Sequence, residues 1–185
     1  MQDYHDILAE VLIDENTLQK RVKELADEIN RDYAEKQILL ICILRGALPF
    51  LVDLMRHITI LNAIDCMAIA SYGAGAREST GNVRMTLDLQ TNIEGKHVIL
   101  VEDIVDSGHT IAHVLEMLRT RRPKSLKVCA LLNKASRREV DVPIDYCGFT
   151  IENKFVFGYG LDLDEYYRNL RFVGVVDLNR YQSNG

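Results

Sequence analysis

The stretch HVILVEDIVDSGHT, His97 to Thr110, constrains the fold more than any other part of the chain. In it an apolar run meets three acids and a small-residue turn, just ahead of a new helical pattern. Val98 to Val101 is apolar without alternation, which predicts a strand buried on both faces, as in a parallel sheet. Glu102 and Asp103 are expected to end that strand. Neighbouring residues on a strand point to opposite faces, so both acids can serve one site only at the strand's carboxyl end, where open α/β sheets bind ligands. Ser107-Gly108-His109-Thr110 then leads into a helix whose first free N–H groups and positive dipole end favour a phosphate. Acids suited to sugar hydroxyls or a metal thus stand beside an anion cradle.

A buried parallel strand needs neighbours and crossover helices, and the rest of the chain provides them. The first fifteen residues show no strong period and read as a partly ordered lead segment. From an N-cap at Asn16 or Thr17, Leu18, Val22, Leu25 and Ile29 recur at helical spacing to about Tyr33. Ile38 to Leu44 reads as a buried strand, followed by Arg45-Gly46 and a helix with Pro49 in its first turn and Leu48, Leu51, Val52 and Met55 facing inward. Ile64 to Ser71 is a further strand. After Tyr72, residues 73–81 lack apolar periodicity and read as a mobile loop. Val83 to Leu89 alternates as a half-exposed strand does. Ile111, Val114, Leu115 and Leu118 mark the helix after the central stretch. Ser125 to Leu132 is an apolar strand ending in Asn133-Lys134, residues 135–143 are loop-like, and Tyr146 to Ile151, Lys154 to Tyr159 and Phe172 to Leu178 read as short strands. Strands alternating with helices predict an α/β fold: a mainly parallel twisted sheet flanked by helices.

Size and composition narrow the function. A chain of 185 residues can bury about 70% of its unfolded surface, so one domain is expected. Apolar runs reach about eight residues, short of the roughly 20 that span a bilayer, and the start lacks a signal-peptide pattern, so a cytoplasmic protein without membrane attachment is expected. Cys42, Cys66, Cys129 and Cys147 are widely spaced and read as free thiols. A net charge of −5 argues against general nucleic-acid binding. His109 and His113 are four apart on a predicted helix, but no third ligand accompanies them, so zinc is not expected.

Val98 to Thr110 resembles the ribose-phosphate signature of the type I phosphoribosyltransferases. Leu44-Arg45-Gly46, Ser71-Tyr72 with Ser79-Thr80-Gly81, Lys134, and Phe155-Val156-Phe157-Gly158-Tyr159 with Leu161-Asp162 resemble the hypoxanthine-guanine branch. The likeness covers nearly the whole chain, departing at Arg45, where the family more often has lysine. It implies a core over about residues 16–160 with a small hood from 1–15 and 161–185. It also implies magnesium as cofactor, phosphoribosyl diphosphate and a 6-oxopurine base as substrates, and a homodimer or homotetramer. An alternative is a regulatory protein of the same fold that binds nucleic acid and senses phosphoribosyl diphosphate. That reading calls for a DNA-binding module or a basic face, and neither is visible in the sequence.

The resemblance also implies roles. Glu102 and Asp103 would engage the ribose hydroxyls, directly or through magnesium, with Asp162 as a further metal ligand beside the base. Asp106 would take a proton from the purine, and the loop Asp106, Ser107, Gly108, His109 and Thr110 would hold the 5′-phosphate. Arg45 and Gly46, in a turn that carries a cis peptide in the family, would meet the diphosphate together with Ser71, Tyr72 and Arg168, the loop after Tyr72 closing over the site. Lys134 would donate to the exocyclic oxygen of the purine, Phe155 would stack on its ring, and the Val156 backbone would read its edge.

Overall fold

The computed structural model describes residues 3–71 and 83–181. In chain order its elements are α1 (Tyr4–Ile7), β1 (Leu8–Ile13), α2 (Glu15–Asp32), β2 (Ile38–Leu44), α3 (Leu48–His57), β3 (Asn62–Ser71), β4 (Val83–Leu87), β5 (His97–Val105), α4 (His109–Thr120), β6 (Ser125–Asn133), a 3-10 turn (Ala135–Arg137), β7 (Tyr146–Thr150), β8 (Val156–Phe157) and β9 (Val173–Val176). The main sheet runs β4-β3-β2-β5-β6-β7, parallel except where β4 pairs with β3. β2 and β5 lie at its centre because they are apolar on both faces. Side chains on a strand alternate, so β2 sends Leu40 and Cys42 into the core with α2 and α3, and Leu39, Ile41 and Ile43 into the core with α4.

A smaller antiparallel sheet, β1-β9-β8, stands apart from the main one and closes a third apolar cluster around Ile7, Phe157, Leu163 and Val176. Val156–Phe157 hydrogen-bonds in this second sheet. The lead segment is ordered too: α1 and β1 occupy it, and β1 finds its partner in β9 at the far end of the chain. Such a pairing leaves no local period to detect.

Three further expectations are corrected. β5 does not stop before the acids but runs through them to Val105, because Ile104 and Val105 continue the register with β6. α2 starts earlier, capped by Asp14, whose carboxylate accepts the Thr17 N–H at 3.0 Å. α3 buries Phe50, Leu51 and Leu54, leaving Leu48 exposed, since the turn after Gly46 rotates the helix relative to the expected stripe. The four cysteines are free thiols, as expected. Among the described residues no helix is long and apolar enough to cross a membrane.

Helix α3 is tied to the segment after β8 by a buried contact. The Tyr159 hydroxyl donates to Asp53 Oδ2 at 2.8 Å, and the Gln19 side-chain amide donates to the same oxygen at 2.6 Å. Tyr159→Phe is expected to cost about 1–2 kcal/mol, because a hydrogen bond to a charged acceptor is lost while Gln19 still satisfies it in part. Urea unfolding reads this directly, and an unchanged midpoint would exclude a structural role for the bond.

Candidate active site

Register brings the centre of the site together. β5 and β6 run parallel with Val105 opposite Asn133, so the next residues, Asp106 and Lys134, emerge side by side at the carboxyl edge. The Lys134 N–H donates to the Val105 carbonyl at 3.0 Å, and its ammonium lies 3.4 Å from Asp106 Oδ2. Lys134 is only 7% exposed, so its charge is withdrawn from bulk water and directed at Asp106. Arg137, in the 3-10 turn that follows, holds the other Asp106 oxygen at 3.4 Å. The loop-like reading of residues 135–143 missed it; two arginines closely following Lys134 were the available signal.

On the neighbouring strand, β2 ends at Leu44 and the Leu44–Arg45 peptide is cis. Gly46 passes so close to Asp103 that a Cβ there would lie 1.8 Å from Asp103 Oδ2, so any larger residue would displace the Asp103 carboxylate from its place in the cleft. Asp103 lines the cleft floor but is enclosed by protein on most sides. Burial pushes its carboxyl up to about 6, opposed by the Ile104 N–H and the Arg168 charge and reinforced by Asp162. Glu102 is 5% exposed and is pushed well above the carboxylate range by burial and then by the charge of Asp103. Its Oε1 is buried with no hydrogen-bond partner. A buried carboxylate oxygen in that state is suited to a cation or a hydroxyl.

The turn between β5 and α4 forms the other wall. Gly108 sits at φ +95° and caps α4, and a Cβ there would lie 2.4 Å from the Val140 carbonyl oxygen. The Ser107 carbonyl accepts from the Glu139 and Val140 N–H groups at 2.9 and 3.0 Å, so residues after the 3-10 turn brace this loop from behind. The His109 ring faces Glu139 at 3.0 Å, which leaves its backbone N–H as its contribution to an anion. No acid occupies the first turn of α4, so its positive end is not offset locally. Ile43, Glu102, Asp103, Asp106, Ser107 and Thr110 are among the residues lining one cavity of about 210 Å³.

The segment after β8 approaches from the second sheet. Arg168 donates to the Gly160 carbonyl at 2.8 Å and pairs with Asp162 at 2.9 Å, and Asp162 also accepts the Glu165 N–H. Glu165, which the sequence did not single out, pairs with both Arg45 and Arg168. A Cβ on Gly160 would lie 2.0 Å from the Gly46 carbonyl oxygen, so this segment rests on the turn after β2. Among the described residues no three histidine, cysteine or acidic side chains form a preassembled metal cluster, so Glu102, Asp103 and Asp162 are not gathered as one. Phe155 is 49% exposed, its ring free to stack, while Val156 is buried in β8. Ser71 ends β3; its side chain, Tyr72 and the loop 73–81 lie outside the described residues.

Comparison with known proteins places these features in company. Residues 12–164 match the family model described as phosphoribosyl transferase domain. The chain is 44% identical over 177 residues to the hypoxanthine-guanine-xanthine phosphoribosyltransferase of Tritrichomonas foetus, covering 95% of this chain and 96% of that one. It is 44% identical over 179 residues to the hypoxanthine-guanine phosphoribosyltransferase of Bacillus subtilis, covering 97% and 98%. Among solved structures, a hypoxanthine phosphoribosyltransferase from Staphylococcus aureus superposes with a TM-score of 0.92 at 39% identity over 97% of each chain.

Proposed function

Because the chain belongs to the phosphoribosyl transferase family, we propose that it moves the 5-phosphoribosyl group from 5-phosphoribosyl 1-diphosphate to N9 of a 6-oxopurine. Hypoxanthine gives IMP and guanine gives GMP, with diphosphate released, in purine salvage. The observation that carries this reading is the cleft at the end of β5, where a buried acid pair and an anion-binding turn follow within a few residues and Lys134 from the end of β6 pairs with Asp106. Relatives named as enzymes support it over a regulatory, nucleic-acid-binding role.

In the transfer, N9 attacks C1 of the ribose while the C1–oxygen bond breaks, its electron pair leaving with diphosphate. Asp106 accepts the proton from N7. An ordinary carboxylate is a weak base at neutral pH, so placement contributes more than basicity. The N–H groups from Asp106 to Thr110, with the Ser107 and Thr110 hydroxyls, hold the 5′-phosphate and fix the sugar. Arg45, Gly46, Ser71, Tyr72 and Arg168 take the diphosphate. Phe155 stacks on the base and the Val156 backbone reads its edge.

Magnesium fits these residues: Glu102 Oε1 lacks a partner and Asp103 is held close by. Glu102 and Asp103 would hold the ion, which when bound offsets the charge of the leaving diphosphate. We further place the protein in the cytoplasm, as a homodimer or homotetramer, a point that sedimentation analysis decides.

The test is direct. Purified protein with magnesium and phosphoribosyl diphosphate is expected to convert hypoxanthine to IMP and leave adenine unchanged; no turnover of any oxopurine would sink the reading. Lys134 sets that selectivity, because an ammonium can donate to an oxo group but cannot accept from an amino group. Lys134→Met is therefore expected to lower kcat/KM for hypoxanthine by about 10²- to 10³-fold with little change in KM for phosphoribosyl diphosphate. A loss confined to the sugar substrate would move Lys134 out of base recognition.

A further inference from the structure

The opposite edge of the main sheet, where its strands begin, holds a second and larger cavity of about 550 Å³. Register builds it as register builds the cleft. Ile38 lies opposite both Asn62 and His97, and His97 lies opposite Ser125. The residues just before these starts, Lys36, Lys96 and Lys124, therefore converge on one rim. They face a single lining carboxylate, Glu35, in a chain whose net charge is −5. Lys36 is partly engaged, donating to the Asp32 carbonyl at 3.1 Å and lying over the Tyr33 ring. The ammonium groups of Lys96 and Lys124 have no ion-pair partner among the described residues. The His97 imidazole, which also lines the cavity, is held below its usual value by burial and then by the charges of Lys124 and Lys36.

The floor differs in character from the rim. Ile38 and Leu39 are buried there, and Leu61 stands beside them 66% exposed. An apolar shelf next to unpaired ammonium groups matches a molecule with a flat base at one end and clustered phosphates at the other. We propose that this cavity binds a nucleoside polyphosphate at a site separate from the catalytic cleft. Along β5 the path from His97 to Asp103 is about 20 Å at roughly 3.3 Å per residue, so a ligand held here leaves the cleft free.

ATP is the suitable probe, because a 6-amino purine is the base that Lys134 disfavours in the cleft. Calorimetric titration of ATP into protein saturated with IMP is expected to show one saturable site that weakens as salt rises. The double variant Lys96→Glu/Lys124→Glu is expected to bind about tenfold more weakly or worse, with an unchanged melting temperature, since both side chains are exposed. The His97 ring resonances should shift during the titration. Absence of saturable binding, equal binding by the double variant, or shifts confined to the cleft would overturn the site. Tripolyphosphate binding as tightly as ATP would overturn the role of the base. None of these readouts depends on turnover, so a failed transferase assay and a failed ATP site are separate results.

Discussion

Asp106→Asn is expected to lower kcat with hypoxanthine by about 10²- to 10⁴-fold while the KM for phosphoribosyl diphosphate stays within a few-fold. The side chain keeps its size and its position between Lys134 and Arg137, both 3.4 Å away, so the cleft retains its shape. What disappears is the acceptor for the purine proton. A second effect follows from the pairing: two cations lose their counter-charge, and a freed Lys134 ammonium should hold the exocyclic oxygen of the base at least as well as before. A falling or constant KM for hypoxanthine beside a collapsed kcat is thus the signature of a proton acceptor. Equal losses in binding of both substrates would instead make Asp106 a structural counter-ion.

Glu102→Gln is expected to separate stability from function. In the unliganded chain Glu102 is buried with one oxygen unpartnered and the Asp103 charge beside it, an arrangement that opposes folding. A neutral amide of the same shape relieves that repulsion, so the variant should melt several degrees higher without ligand. The sign with pH is fixed by the raised carboxyl. Below the ordinary carboxylate value both folded and unfolded chains are protonated and the variant gains nothing from charge. The gain grows as pH rises from there toward the raised value. With magnesium and phosphoribosyl diphosphate present, the order reverses: the parent chain should gain the larger ligand-induced rise in melting temperature, and the variant's KM for the sugar substrate should increase about tenfold or more. A variant that melts lower than its parent without ligand would show Glu102 to be held by partners rather than left for a substrate.

How much of this was legible beforehand depended on whether the information was local. β2 spans Ile38–Leu44 as its apolar run indicates, and α4 buries Ile111, Val114, Leu115 and Leu118 as their spacing indicates. In each case the pattern is carried by residues that touch one core. β1 was not legible, because it is stabilised by β9 some 160 residues later and has an irregular register with two shifts. The inward face of α3 depended on how the turn at Gly46 leaves the strand, a backbone matter that side-chain period does not encode. In the cleft, the phosphate turn and Lys134 follow the apolar strands β5 and β6, and the acid pair was readable as a break in the apolar run although β5 continues through it. Arg137 and Glu165 act from irregular segments whose direction is set by contacts with Asp106, Arg45 and Arg168; the basic pair after Lys134 hints at Arg137, but periodic spacing marks neither residue.

The split of β2 between two cores has a consequence for how this chain can change over time. Its odd- and even-numbered residues serve opposite faces, yet nearly all are leucine or isoleucine, so exchanging one aliphatic for another is a small perturbation. Removing or adding a single residue is another matter. It would transpose the two faces and displace the Gly46 turn by about 3.3 Å from the Asp103 carboxylate it touches. The strand is in effect a ruler: its lettering is forgiving, its length is not. Lineages of this protein should therefore drift freely in aliphatic identity along β2 while insertions and deletions are confined to the loops that the ruler does not measure.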